Sequence, residues 1–477
     1  MSSEILIGGA WRGSRSGETF EVRDPADESV VAAVPACGAE EAREAVEAAA
    51  AAFASWRRET ARSRAHRLRR LAELLRRDRE RLARTMTAEQ GKPIAEARGE
   101  VEYSASFFDV AADLAPHAGG EIVPAVDPAR RILVLPEPLG VAAIVTPWNF
   151  PLAMIARKMA PALAAGCSVV IKPDERTPLS AIELARLAEE AELPTGTVNL
   201  VTGEPAPIVE AWLDDPRVRA ISFTGSTEVG RLLMRGASRH LARVSLELGG
   251  HAPFIVFADA DLDRAVEAAV ASKFRNAGQT CICANRFLVE ASVADRFAEA
   301  LAERTRALRC GRGGDAETTT GPLIDDAAIG KVEGHVRDAV ARGARAICGG
   351  ERVRIDGLAD RFFAPTVLDR LDRSMRMWCE ETFGPVAAIA RFETEAQAIE
   401  MANDTEYGLA AYFFTRDASR LMRVAESLEY GIVGANDALP STAEAPFGGV
   451  KQSGFGREGG RWGLEEFTSV KYVSWRL

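Results

Sequence analysis

The chain has 477 residues and a mass of 51.3 kDa, with 47% hydrophobic and 27% charged residues, enough for two or three cores of an ordinary α/β globule. A net charge of −10 and a pI near 5.4 exclude a general nucleic-acid or anionic-membrane surface. No apolar run reaches the ~18 residues of a membrane span, and the start MSSEILIGGAW lacks the basic and apolar regions of a secretory signal. The seven cysteines (37, 167, 281, 283, 310, 348 and 379) are odd in number and scattered, which is no disulfide framework. Cys281-x-Cys283 has no second pair to complete a zinc site, so no metal is expected. The expected compartment is cytoplasmic and reducing.

In chain order, residues 5–34 predict short strands with turns at Gly8-Gly9 and Asp24-Pro25. Ala39 to about Ala115 predicts helix. Within it, Arg57 to Arg84 holds twelve arginines, but Leu68, Leu71, Leu75 and Leu82 keep helical spacing and Glu73, Asp78 and Glu80 are interleaved. A solvated face with internal ion pairs accounts for that run. Residues 119–124 and 131–136 read as a hairpin around Asp127-Pro128. From Gly140 onward, strand-like runs at 141–147, 167–173, 197–203, 219–225 and 243–250 alternate with helical segments, which predicts a parallel, doubly wound sheet. A second α/β unit follows, with strands expected at 287–290, 344–350, 364–368 and 386–392. The tail, 464–477, is an apolar strand that needs a partner in another element or subunit.

Polar groups gather at the predicted strand ends. A helical run through Leu262, Val266 and Phe274 breaks at Asn276, Gly278 and Gln279, so Cys281 falls on a tight loop before a strand. Such a loop holds a nucleophilic thiol rigidly, although an isolated cysteine also serves as a small buried hydrophobe. Asn149, in Thr-Pro-Trp-Asn-Phe-Pro, is aimed by flanking prolines and could hold an oxyanion, or simply fill a turn. Lys172 and Glu175 stand at a strand mouth, suited to nucleotide ribose hydroxyls or to a solvated loop. Phe-Thr-Gly225-Ser226-Thr-Glu-Val-Gly230 ends a strand and opens a helix, a setting for phosphate, though it is not GxGxxG. Glu247 would act as a base if a closed cleft raised its pKa, and would otherwise be an exposed ion-pair member. Glu381 and Phe383 occupy a further turn, Glu-Glu-Thr-Phe-Gly-Pro.

Taken together, TPWNFP, IKPDE, FTGSTEVG, SLELGG, GQTC and EETFGP resemble the aldehyde dehydrogenase superfamily in order and approximate spacing, from the first strands to the tail. The resemblance implies a Rossmann-type nucleotide-binding domain (1–118 and 138–250), an α/β catalytic domain (251–450) and a β oligomerisation arm (119–137 and 464–477). It implies Cys281 as nucleophile, Glu247 as general base and Asn149 with the Cys281 amide as oxyanion site. Cofactor positions matched by the resemblance are Trp148, Lys172, Glu175, Gly225, Ser226, Gly230, Leu248, Glu381 and Phe383. The implied chemistry is a thiohemiacetal that loses hydride to leave a thioester, which water then hydrolyses.

Within the superfamily, SKFRNAGQTCICANRFLVE and APFGGVKQSGFGREG resemble the succinate-semialdehyde dehydrogenase branch. There, Arg157, Arg275 and Ser441 match positions that grip a distal carboxylate; structural ion pairs are the alternative for the two arginines. Glutarate semialdehyde, one methylene longer, is an alternative substrate, and a non-catalytic binding protein of the same fold is a further one. A carboxylate at Glu175 favours NAD, with NADP as alternative because Arg176 adjoins it. Cys283 is a branch feature that could pair reversibly with Cys281, since strand alternation would put both thiols on one face. The expected partners are a small semialdehyde and further copies of the chain, with neither nucleic acid nor membrane.

Overall fold

The computed structural model describes residues 4–477. Its first sheet has eight strands. Val198–Leu200, Ser168–Lys172, Val141–Val145, Val218–Thr224 and Arg243–Glu247 run parallel in that spatial order. Antiparallel Ile5–Ile7 and Ala10–Arg12 extend one edge, and Gly454–Phe455 closes the other. Val141–Val145 and Ser168–Lys172 are buried at every position, because helices cover both faces, and so their sequences are continuously apolar rather than alternating. One face carries Ala61–Arg77, Ile94–Leu114, Ala153–Ala165 and Leu179–Glu190; the other carries Ala39–Trp56 and Pro205–Leu213.

The Arg-rich helix Ala61–Arg77 starts at Thr60, whose hydroxyl accepts from the Ser63 amide at 3.2 Å, and buries Leu68, Leu71 and Leu75. Its arginines point outward as the spacing predicts. Most of their ion pairs reach other helices, Arg76 to Glu102 and Asp109, Arg77 to Glu190, rather than closing within one helix.

The second sheet has seven strands in the order Arg345–Cys348, Thr366–Asp369, Val386–Phe392, Ala284–Glu290, Ala252–Val256, Ala410–Phe414 and Ile432–Ala435, parallel except for the first. Ala252–Val256, Ala410–Phe414 and Ile432–Ala435 are additional to the expected strands. The expected strand at 287–290 begins earlier, at Ala284, and that at 197–203 is shorter, Val198–Leu200.

The tail strand Thr468–Arg476 pairs antiparallel with Arg130–Pro138 over nine residues, and Glu121–Val123 adds the outer strand. Its partner therefore lies in the same chain. The first residues of the 464–477 segment finish a short helix, Gly460–Glu465. Ile122, Val470, Tyr472 and Trp475 remain exposed on this three-stranded sheet, and Val126 on the loop between its first two strands. No helix among the described residues is long and apolar enough to cross a membrane.

Candidate active site

Glu247 ends the last parallel strand of the first sheet, and Leu248-Gly-Gly leads directly into the second. The glycines permit close approach: a Cβ at Gly250 would lie 2.3 Å from the Cys281 carbonyl oxygen, so Gly250 and Cys281 touch through their backbones. Helix Leu262–Phe274 stops at a kink where Asn276 (φ 50°) and Ala277 (φ 53°) are left-handed, and Gly278 follows at φ 74°. A Cβ on Gly278 would strike the Gly384 carbonyl at 2.1 Å. The kink turns the chain so that Cys281 faces a tunnel of about 320 Å³, lined also by Tyr103, Phe150, Arg157, Arg275 and Ser441. That volume is at the small end for ligand cavities.

Asn149 is buried, and its Nδ2 donates to the Gln279 carbonyl at 3.0 Å, two residues before the thiol. A carboxamide has two N–H groups, so one is left for a reacting oxygen. Burial pushes the Cys281 thiol up to about 12, opposed by the Arg157 guanidinium and reinforced by the Glu381 and Glu247 carboxylates. Glu247 is buried with both carboxylate oxygens lacking a hydrogen-bond partner. Burial first, then the charge of Glu458, hold its pKa well above the usual range, against the pull of Arg157 and Lys158. A carboxylate so placed binds a proton readily, as a general base must.

The two tunnel arginines differ. Arg157 Nε lies 2.6 Å from Glu458 Oε2, and its guanidinium sits over the Phe447 ring at 3.7 Å; Lys158 also pairs with Glu458. Arg275 makes no ion pair with any described residue. Its Nε is buried without a partner and its guanidinium rests over the Phe150 ring at 5.3 Å. Ser441 Oγ is 2.5 Å from the Tyr103 hydroxyl.

Cys283 does not share a strand with Cys281. The strand begins at Ala284, both cysteines lie in the preceding turn, and the same-face expectation fails. Cys283 is buried, its thiol donating to the Gly278 carbonyl at 3.3 Å and lying 3.6 Å from Lys273 Nζ.

A second cleft of about 720 Å³ opens at the carboxyl ends of the first sheet's strands. Trp148, Lys172, Glu175, Gly225 and Ser226 line it. Gly230 and Leu248 pack on each other: a Cβ on Gly230 would meet Leu248 Cδ2 at 2.7 Å. Glu381 and Phe383 lie off its wall. Glu381 accepts from the Gly250 amide at 3.3 Å and is raised by burial to about 7, while Phe383 meets Trp148 edge-on at 5.7 Å. Ser226 caps helix Thr227–Ala237 by accepting from Val229 N. Val209 and Leu213 on one helix, with Val229 and Leu233 on another, add an apolar slot that suits a flat ring. Lys172 Nζ is 2.8 Å from Glu175 Oε2. Arg176 is held by Asp174 and Asp325, so its charge is already engaged.

Sequence reasoning passed over Gln90, Lys92, Glu96 and Glu100, which bear on the site from the helical region. Lys92 and Glu100 form a buried ion pair at 2.5 Å, and Glu96 Oε2 accepts from the Asn276 amide at 2.7 Å. Charged residues inside an otherwise helical stretch of apolar spacing were the available signal. Glu458 was missed because nothing local marks it as buried.

A protein-family model described as "Aldehyde dehydrogenase family" matches residues 11–473. The chain is 50% identical over 470 residues to Succinate-semialdehyde dehydrogenase [NADP(+)] GabD of Escherichia coli (strain K12), covering 98% of this chain and 97% of that protein. It is 51% identical over 473 residues to a 3-sulfolactaldehyde dehydrogenase of Pseudomonas putida, covering 99% and 97%. Among solved structures, one described as an E. coli NADP dependent enzyme superposes with a TM-score of 0.98 at 50% identity, covering 100% of this chain and 98% of that one. A thiol, a carboxamide and a proton-binding carboxylate brought together beside a nucleotide-sized cleft agree with these matches, and the chain belongs to the aldehyde dehydrogenase family.

Proposed function

We propose that the protein oxidises succinate semialdehyde to succinate, with NAD as cofactor, in the cytoplasm. The observation that carries the substrate is Arg275, a guanidinium beside a thiol-floored tunnel that forms no direct ion pair with any described residue, the nearby Glu96 carboxylate being engaged by the Asn276 amide. A distal carboxylate supplies a direct partner and can be held in a fork, with Ser441 as a further donor. The relative acting on 3-sulfolactaldehyde favours one second reading, an aldehyde ending in a sulfonate, which the same guanidinium could hold.

Bound in the larger cleft, a nicotinamide dinucleotide supplies the hydride acceptor. The cleft fits such a group: Lys172 and Glu175 would offer ribose hydroxyls a donor and an acceptor, and the slot beside Val229 would take a flat ring. Glu175 disfavours a 2′-phosphate, and Arg176 is already neutralised by two aspartates. At the tunnel floor, the Cys281 thiol gives its proton to water as its sulfur attacks the aldehyde carbon. Asn149 Nδ2 and the Cys281 amide stabilise the oxyanion that forms. Collapse of that oxyanion releases the aldehyde hydrogen as hydride, which a bound nicotinamide would accept, and leaves a thioester. Glu247 then takes a proton from the water that cleaves the thioester and frees the acid and the Cys281 thiol. The exposed apolar residues of the arm, Ile122, Val470, Tyr472 and Trp475, would be covered by a second copy of the chain.

The test is a panel of ω-semialdehydes, a sulfonate-ended aldehyde and plain aldehydes, each with NAD and NADP. Succinate semialdehyde with NAD should give the highest kcat/KM, and Cys281→Ala should abolish all turnover. Plain aldehydes turned over as well as semialdehydes would reject the carboxylate anchor.

A further inference from the structure

Asn149 can stabilise an oxyanion only if its amide is aimed, and a side chain is aimed by the backbone that carries it. The carbonyl of Asn149 accepts two hydrogen bonds from outside its own loop. One comes from Lys92 Nζ at 2.7 Å and the other from Asn276 Nδ2 at 3.0 Å. Lys92 is buried and lies on the turn between helices Arg79–Gln90 and Ile94–Leu114, far in sequence from both Asn149 and Cys281.

Everything around Lys92 fixes its ammonium. Glu100 Oε2 accepts from it at 2.5 Å, and the Phe150 ring faces it at 4.0 Å to the centroid. The other Glu100 oxygen accepts from the amides of Leu152 and Ala153 at 3.0 and 3.1 Å, the first turn of helix Ala153–Ala165. The Lys92–Glu100 pair therefore grips the Asn149–Ala153 segment at its carbonyl end and at its amide end. On the other side, Gln90 Nε2 holds Asn276 Oδ1 at 3.0 Å, so the second donor to the Asn149 carbonyl is steadied by the same turn. Asn149 belongs to the first sheet's loops, and Asn276 to the loop carrying Cys281. The turn at Gln90–Lys92 thus registers one half of the site against the other.

We infer that Lys92, held by Glu100, is a positioning residue for the oxyanion site, acting through the Asn149 backbone rather than on the substrate. The inference rests on the reading of Asn149 as an oxyanion donor. A buried ion pair is a poor source of net stability, because desolvation of both charges offsets their attraction. Geometric definition is the return that this pair offers here.

A double-mutant cycle tests it, with Lys92→Met and Asn149→Ala made singly and together in the full-length enzyme. Lys92→Met should lower kcat by roughly 10- to 100-fold for succinate semialdehyde and for a plain aldehyde alike, with KM for both little changed, since an aimed oxyanion donor is worth about 100-fold or more. In the Asn149→Ala background the same change should cost less than about threefold, because coupled residues are not additive. Alkylation of Cys281 by iodoacetamide, which needs no oxyanion donor, should proceed at the wild-type rate in Lys92→Met. Additive losses, or alkylation slowed as much as turnover, would overturn the inference. Should Lys92→Met melt early because Glu100 is left unpaired, Lys92→Met with Glu100→Gln keeps an acceptor for the Leu152 and Ala153 amides and gives the same readout. Full turnover by Asn149→Ala alone would instead sink the reading of Asn149, a separate failure.

Discussion

Arg275→Met removes the guanidinium while keeping an unbranched apolar stem against Phe150. In the wild type this group is half-buried, lacks any ion pair among the described residues, and shares its tunnel with Cys281. A charge-assisted fork to a carboxylate in such a place is worth about 2–4 kcal/mol, because neither partner is fully screened by water. At 1.36 kcal/mol per decade, that predicts a loss of roughly 30- to 1000-fold in kcat/KM for succinate semialdehyde. A plain aldehyde of similar length has no carboxylate to lose, so its kcat/KM should change by less than about threefold. The assay follows reduced cofactor by absorbance for both substrates, with Arg275→Lys as a charge-keeping control of intermediate effect. Equal losses for the two aldehydes would show that Arg275 only shapes the loop, and the anchor argument would be refuted.

Glu247→Gln should still form the acyl-enzyme, seen as a burst of reduced cofactor, but fall by about 100-fold or more in steady turnover when the base is lost. In the wild type that turnover should climb with pH, since only the deprotonated carboxylate acts and its pKa is held well above the ordinary range; a flat profile would contradict the assignment. Glu175→Ser should improve NADP use by roughly 10- to 100-fold relative to NAD, as about 1–3 kcal/mol of repulsion toward a 2′-phosphate disappears; unchanged selectivity would count against the role given to Glu175. Glu89, buried and accepting from the first amides of helix Leu179–Glu190, is raised to about 8, chiefly by burial. Folding raises this pKa, so its contribution is complete below the ordinary carboxylate range and is lost as pH rises through about 8. Thermal melts of Glu89→Gln across that window should show a shallower decline than wild type, and parallel curves would reject the linkage.

The fold was legible where local pattern and burial agree. Continuous apolar runs such as Val141–Val145 mark a sheet covered on both faces, and six short motifs in order mark the family. Strands at Ala410–Phe414 and Ile432–Ala435 were not picked out, because short apolar runs read alike in helix and strand. Within the site, Cys281, Asn149 and Glu247 were visible because each interrupts a pattern. The difference between Arg157 and Arg275 was not. It depends on Glu458, some 300 residues from Arg157 and brought there only by the return of the chain. Gly230 and Leu248, cofactor positions by resemblance, also pack on each other, a contact that spacing alone does not show.

The strand that bears Glu247 is completed from far downstream: Gly454 pairs with Glu247, Gly448 closes over its carboxylate, and Glu458 sits beside it. A growing polypeptide leaving the ribosome therefore has its thiol and carboxamide in hand long before its base is seated. Until residues 448–458 have been added, Glu247 lacks the neighbours that seat it, and a fragment stopping short of them should release acid poorly.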